Sequence, residues 1–249
     1  MSQEHRPETE DGWMKVHRRK GRRLGKPTPA PAGSDSVATP SAPSLSLEQV
    51  KQDHDQLTTH WKSSSSCSRL RGLLSSHATT TNSNITRAIC FGLGTFDPPD
   101  GTWEQRRKAH IQLAAFLAIV DHLQSQARHQ IQCFFQDPIF NTVDRAFIAS
   151  LGHEVVESPV GFELVEPETL VFGIHLYRDV YSQVIATHIP AIFIGTPYEV
   201  WEDAYGDENL DWARMKELNR LCVKVKFPEN QADTTFSSTM IHWRQDDQS

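Results

Sequence analysis

The sequence predicts an α/β protein: a Rossmann-like, mainly parallel sheet with helices on both faces, preceded by a disordered basic N-terminal tail. Three observations support this fold class. Along residues 85–249, short apolar runs alternate with longer helical patterns, the order that builds parallel sheets. The first of these runs ends in a Gly-x-Gly turn. Residues 1–44 are rich in Pro, Ser and basic side chains, a composition that cannot bury a core.

The tail contains an aromatic residue followed by a basic cluster. Residues 1–26 carry a net charge of +4 and the remainder −10, within a total of −6. A basic tail on an acidic body favours a nuclear localisation signal or a nucleic-acid contact, with a merely solubilising tail as the alternative. The candidate residues are Lys15, Arg18, Arg19, Lys20, Arg22 and Arg23.

Residues 45–84 predict a helix and a Ser/Thr-rich linker. The helix spans residues 46–61 with Ser46 as its N-cap. In the linker, Leu70, Leu73 and Leu74 indicate a second, short helix that packs on the following domain.

The third predicted segment, residues 85–249, is the α/β domain. Helix 103–123 is apolar almost all round, so it should be covered on more than one side. Helix 142–151 should end at Gly152 in the C′ position. The other predicted helices are 177–187 and 209–218, and the strands are 85–92, 130–136, 153–157, 169–174, 190–194 and, as the last strand, 221–227.

Composition excludes several classes of protein. The longest uninterrupted apolar run, residues 113–120, is far shorter than the roughly 20 residues of a membrane span. The N-terminus has no apolar segment of the kind that signal peptides carry. The four cysteines are scattered without a Cys-x-x-Cys pair. The sequence therefore predicts a soluble intracellular protein with reduced thiols and no membrane contact.

The glycine turn after the first strand is the first candidate for ligand contact. Gly92 and Gly94 allow a close approach of the backbone to a ligand. Asp97 occupies the place of the third glycine in the dinucleotide fingerprint. A tight turn without a ligand therefore stays open as the alternative.

Other candidates follow the later strands, because open α/β sheets bind ligands at the carboxyl ends of their strands. Asp137, expected as an exposed carboxylate, could hold ribose hydroxyls, although it lies 45 residues after Gly92 rather than the usual ~20 residues. The alternative is that Asp137 opens a turn. Gly195 and Thr196 follow a later strand.

His175 ends an apolar strand at the same edge of the predicted sheet. A packed, hydrogen-bonded imidazole is the alternative to a catalyst or a ligand. Axial haem ligation is chemically allowed, but no His or Cys lies nearby at metal-ligand spacing, so we predict no metal site.

Catalytic motifs are absent from the sequence. It contains no Gly-x-x-x-x-Gly-Lys-Ser/Thr loop, no Gly-x-Ser-x-Gly elbow and no paired-carboxylate motif. The catalytic residues and the cofactor stay unassigned, and the sequence favours a protein that is not an enzyme.

Several ordered motifs, from the tail and from residues 85–243, resemble the sensitivity-to-red-light-reduced family, in its animal or fungal form. His175 lies in Gly-Ile-His-Leu where relatives often read Met-Pro-His-Cys, and Ser238 replaces the usual Asp. The motifs are residues 11–16, 92–96, 112–114, 136–140, 151–155, 169–176, 194–196 and 234–243.

This resemblance implies a regulatory protein linked to circadian timing, light signalling and haem biosynthesis, acting through protein partners in cytoplasm and nucleus without established catalysis. The alternative is a Rossmann-like enzyme that binds a nucleotide or an S-adenosylmethionine-like molecule, or a haem-binding sensor. The six glycine-turn and strand-end residues named above would then line the crevice.

Overall fold

Seven strands form a single sheet in the order β3-β2-β1-β4-β5-β7-β6. This computed structural model describes residues 44–77, 84–127, 129–205, 211–229 and 233–245. The predicted tail, apart from Ser44, lies outside the described residues. The strands are β1 Arg87–Phe91, β2 Gln132–Gln136, β3 Glu154–Val155, β4 Thr169–Gly173, β5 Ile192–Gly195, β6 Cys222–Lys226 and β7 Met240–Arg244.

Helices cover both faces of this sheet. A 3₁₀ turn, Thr234–Phe236, precedes β7. The helices are α1 Leu47–Lys62, α2 Ser65–Ser76, α3 Trp103–Ala127, α4 Thr142–Ser150, α5 Val160–Glu163, α6 Arg178–Ile185, α7 Tyr198–Tyr205 and α8 Trp212–Leu221.

Strands β1 to β5 run parallel in the order 3-2-1-4-5. Alternate side chains of each strand enter opposite apolar cores. Ala88 and Cys90 of β1 face the core built with α1–α4, whereas Ile89 and Phe91 face the core built with α5–α8. The predicted fold class, a mainly parallel Rossmann-like sheet covered on both faces, is confirmed.

Local signals placed several helix ends correctly. Ser46 caps α1 in a capping box with Gln49, and the predicted short helix of the Leu70–Leu74 region is α2. Gly152 follows α4 with φ +83°, because the left-handed conformation after a helix favours glycine.

The prediction that residues 221–227 form the last strand of the chain is wrong. Strand β6 is not the last strand: β7 follows it and lies between β5 and β6, antiparallel to both. Strand β7 was not predicted from the sequence, because the polar His242 at its centre interrupts the apolar run. The imidazole is buried, and its Nδ1 lies 3.1 Å from the Phe193 carbonyl oxygen.

Two further differences concern short elements. Helix α7 was missed because it carries Glu199, Glu202 and Asp203 and lacks a broad apolar face. Strand β3 pairs over only two residues with β2, so the predicted strand 153–157 was too long.

Among the described residues, no helix has both the length and the apolar character needed to cross a membrane. Cys67, Cys90, Cys133 and Cys222 are all buried and unpaired. Cys90, Cys133 and Cys222 lie in strands, as predicted, where they behave as small apolar side chains.

Candidate functional site

The strand order reverses between β1 and β4, because α3 leaves β1 over one face and α6 leaves β4 over the other. We call the surrounding segments, up to the first turn of each following helix, the carboxyl rim. It comprises residues 92–106, 137–145, 156–163, 174–181 and 196–201 and the turn 237–239 before β7. The structure brings all six predicted ligand residues to this edge: Gly92, Gly94, Asp137, His175, Gly195 and Thr196.

Gly92 and Gly94 form a turn that bends towards β2. Both have left-handed backbones, with φ +64° and +87°, which glycine adopts without steric cost. The Gly92 N–H donates to the Gln136 carbonyl at 3.2 Å, and the Gly94 N–H donates to Asp137 Oδ2 at 2.8 Å. These two amides are therefore directed at the protein and not at the crevice.

Asp137 connects two rim segments through hydrogen bonds to their backbone amides. Its Oδ2 holds the Gly94 amide and its Oδ1 accepts from the Ile139 N–H at 3.0 Å, so it caps the turn after β2 and also fastens the glycine turn. The expectation of an exposed carboxylate was wrong: Asp137 is buried, because both oxygens are turned inward to backbone amides.

Asp144, which was not predicted from the sequence as a site residue, holds the end of the glycine-turn loop by hydrogen bonds. Its Oδ1 accepts from the Phe96 N–H and its Oδ2 from the Asn141 N–H, both at 2.9 Å. Burial raises the pKa of this carboxyl, while its hydrogen bonds act in the opposite direction. The Asn141-Thr-Val-Asp144 spacing resembles a capping box and was the available signal.

The crevice between β1 and β4 is filled by a side chain of the protein. Leu176 is buried and its δ carbons rest against both Gly92 and Gly173. A Cβ added at Gly92 would lie 2.8 Å from Leu176 Cδ2, and one added at Gly173 would meet the same side chain. Leucine thus occupies the space where open α/β sheets hold a ligand.

Gly195 and Thr196 belong to the packing of β5. A Cβ at Gly195 would lie 2.8 Å from the Gly173 carbonyl oxygen, so glycine permits the close approach of the two strand ends. Thr196 is buried beside it.

His175 is exposed and has a left-handed backbone with φ +53°, as does Ser238 with φ +51°. The Nε2 of His175 lies 2.8 Å from the Ser237 carbonyl oxygen, which only accepts, so Nε2 carries the proton. Nε2 therefore cannot act as a base towards Ser237 Oγ, which lies 3.4 Å away. The other ring nitrogen, Nδ1, has no partner among the described residues.

Cavities lie elsewhere in the described part of the chain. Five such cavities have volumes of about 80 to 560 Å³, and none of these five is lined by any of the six predicted ligand residues. Among the described residues, no group of three or more His, Cys, Asp or Glu could hold a metal ion.

Large apolar side chains are exposed around the carboxyl rim. Tyr177 is 85% exposed, Ile139 58% and Trp103 49%. Val160 and Val200 are also exposed, so each of the five rim segments that follow β1 to β5 contains one such residue. Within the part of the chain that the structure describes, one further large apolar residue is exposed, Val223 on β6.

The rim is also acidic. Besides the buried Asp137 and Asp144, it carries seven acidic residues and three arginines. Every one of these arginines is in an ion pair: Arg106 with Asp53, Arg145 with Glu157 and Arg178 with Asp179. Two further rim carboxylates pair with lysines, Glu104 with Lys108 and Glu199 with Lys224. Of the seven acidic residues, Asp97, Asp100 and Glu163 have no ion pair among the described residues.

A family model described as SRR1 domain matches residues 53–243. No curated protein and no solved structure matches the chain. The matched range begins in α1 and ends in β7, so it spans the whole sheet.

Proposed function

The chain belongs to the SRR1 domain family, the sensitivity-to-red-light-reduced family that its motifs resemble, and from this premise we propose a regulatory, non-catalytic function carried out through a protein partner. The partner docks on the carboxyl rim. Its own surface presents apolar side chains surrounded by basic ones.

The observation that carries this proposal is the set of exposed apolar side chains, one in each of the five rim segments that follow β1 to β5. Soluble proteins rarely expose several large apolar groups on one side unless that surface has an interaction role. Among the described residues, all but one of these groups lie at the same edge of the sheet. Aromatic residues such as Tyr177 and Trp103 contribute strongly to protein interfaces. The acidic surroundings select against acidic partners, since like charges across an interface are costly.

The family resemblance supports the regulatory part of the proposal. Circadian timing, light signalling and haem-biosynthesis control are the pathways that it suggests for this chain. None of them needs a catalytic residue in the rim.

The test compares captured partners. The variant Trp103→Ser/Ile139→Ser/Tyr177→Ser removes the three most exposed apolar rim groups, whereas Val223→Ser removes an exposed apolar group from β6. Each tagged chain is expressed at equal level, and co-purifying proteins are quantified. We expect at least a tenfold loss of specific partners with the rim variant and no loss with the β6 variant. Equal partner sets for both variants would overturn the proposal.

The second candidate function is binding of a nucleotide or of S-adenosylmethionine in the crevice. The strand order 3-2-1-4-5 and the glycine turn favour it, but Leu176 must leave the crevice first. Thermal unfolding of the full chain with nucleotides, dinucleotides and S-adenosylmethionine separates the two candidates. Ligand at about 100 times its dissociation constant stabilises the folded state by about 2.7 kcal/mol, so binding would raise Tm measurably.

We also propose that the chain is present in both cytoplasm and nucleus. The cations of the basic cluster, Lys15–Arg23, support nuclear import. Replacing all six by Gln should reduce nuclear accumulation of a fluorescent fusion, and an unchanged distribution would contradict the import signal.

A further inference from the structure

A cavity of about 300 Å³ lies between α1 and α3, on the side of the sheet opposite to α6 and α8. It is also lined by Ile131, Cys133, Leu151 and His153, near the start of β2 and β3. It adjoins a second cavity of about 510 Å³, with which it shares Gln124, Ile131, Cys133, Leu151 and His153. None of these residues belongs to the carboxyl rim.

Side-chain size explains the opening. Ala114 and Ala118 lie one helical turn apart on α3 and line the cavity, so this part of the helix surface lacks the bulk that would fill the groove. The facing residues of α1 are polar: His54, Thr58 and Lys62, again at successive helical turns.

The two long walls carry opposite charge. Lys62 stands on the α1 wall and Asp121 on the α3 wall. Neither has an ion-pair partner among the described residues, although both line the same cavity. Leu117, Ile131 and Leu151 supply apolar surface between these walls.

Electrostatic effects on neighbouring groups agree with this polarity. Burial lowers the pKa of His54 to about 4; Asp55 opposes this fall and Lys62 adds to it. Burial raises the pKa of Cys133 to about 12, and Asp121 adds to the rise. Near pH 7 the imidazole is neutral and the thiol is protonated, so the cavity is suited to binding rather than to nucleophilic chemistry.

We propose that this cavity binds a small zwitterion with an apolar body, the class to which free amino acids with aliphatic or aromatic side chains belong. The carboxylate of the ligand pairs with Lys62 and its ammonium with Asp121. Its apolar part lies against Ala114, Leu117 and Ala118. Small-molecule sites of this volume commonly combine apolar walls with a few convergent polar groups.

The experiment uses the full chain and three matched probes, with binding measured by calorimetry at millimolar concentration. Free leucine carries both charges, 3-methylbutylamine lacks the carboxylate, and 4-methylpentanoate lacks the ammonium. Free phenylalanine serves as the aromatic probe. We expect a saturable heat for at least one of the two amino acids and at least tenfold weaker binding of the two singly charged probes.

Variants locate the site. Asp121→Asn and Lys62→Met should each weaken amino-acid binding at least tenfold, and Ala118→Phe should abolish it by filling the cavity. Asp203→Asn and Lys216→Met change exposed charges on α7 and α8 and should leave binding unchanged. Circular dichroism and Tm establish that every variant folds.

Three results would overturn the proposal. They are no heat with either amino acid, binding of a singly charged probe as tight as that of the amino acids, or undiminished binding in Asp121→Asn. Because partner capture by the rim does not involve this cavity, loss of either proposal leaves the other standing.

Discussion

The carboxyl rim and the α1–α3 cavity differ in two respects: whether the sequence marks them with motifs, and whether the folded chain leaves open volume there. The rim carries the glycine turn and the strand-end polar residues, yet Leu176 fills its crevice and two carboxylates hold its loop. The cavity carries no motif, yet about 300 Å³ is open there, with the exposed Lys62 and Asp121 among its lining residues. Sequence motifs thus predict where the backbone has a geometry suited to a ligand. Whether volume is open at that place depends on the packing of side chains that are distant in sequence.

The difference between the two regions depends most on Leu176, whose buried side chain fills the rim crevice. Leu176→Ala should lower the free energy of unfolding by about 2–5 kcal/mol, because a buried leucine is lost and a cavity is left. Urea unfolding measures this change.

Gly92→Ala supplies the matched test of the same contact. Its cost comes from the left-handed φ and from the clash with Leu176. In the Leu176→Ala background the clash is absent, so the cost of Gly92→Ala should fall by about 0.5–3 kcal/mol. Strict additivity of the two substitutions would contradict the contact.

Asp144→Ala should cost about 2–3 kcal/mol, since it leaves the buried Phe96 amide unpaired and removes part of the α4 cap. Asp179→Ala, in the first turn of α6 and exposed, is the control and should change stability by less than about 0.5 kcal/mol. Similar values for the two variants would show that Asp144 does not fasten the loop.

The packing beneath the glycine turn should make the fold sensitive to acid. His54 and His110 lie with ring centroids 5.5 Å apart, and Phe96 covers His110. Burial lowers the pKa of His54 to about 4 and that of His110 to about 3. Because unfolded histidines bind protons below about pH 6.5 and these two do not, stability should fall as the pH drops from about 6.5 to about 4.

His110→Leu isolates the contribution of one imidazole. Between pH 7 and pH 5, the wild-type chain should lose on the order of 2 kcal/mol more unfolding free energy than this variant. The neighbouring charges Asp55, Lys62 and Arg106 remain in both proteins. Parallel stability profiles for the two would contradict a neutral, buried His110.

The smallest effect on stability belongs to the rim surface. Tyr177→Ser and Ile139→Ser should each change unfolding free energy by less than about 0.5 kcal/mol, because both side chains are mostly exposed. A loss above about 1 kcal/mol would show that these residues support the fold rather than a partner.

Features that depend on local backbone chemistry were predictable. The α4 helix with Gly152 after it, the Ser46 cap of α1 and the gathering of Gly92, Asp137 and His175 at one edge all follow from residue type and strand direction. Parallel strands bring their carboxyl ends together whatever their side chains are.

Features that depend on tertiary contact were not predictable. The buried His242 has the Phe193 carbonyl oxygen beside its Nδ1, and the buried Asp137 accepts from the amides of Gly94 and Ile139. Likewise, the residues Gly173-Ile174-His175-Leu176 contain no signal that predicts the packing of the Leu176 side chain against Gly92.

Photo-crosslinking in cells tests the claim that the carboxyl rim contacts a protein partner. The amino acid p-benzoylphenylalanine replaces Tyr177 in one chain and Val223 in another, and covalent adducts are identified after irradiation. We predict a discrete protein adduct from the Tyr177 position that is missing from the Val223 position. No adduct at Tyr177, or the same adduct from both positions, would contradict the claim.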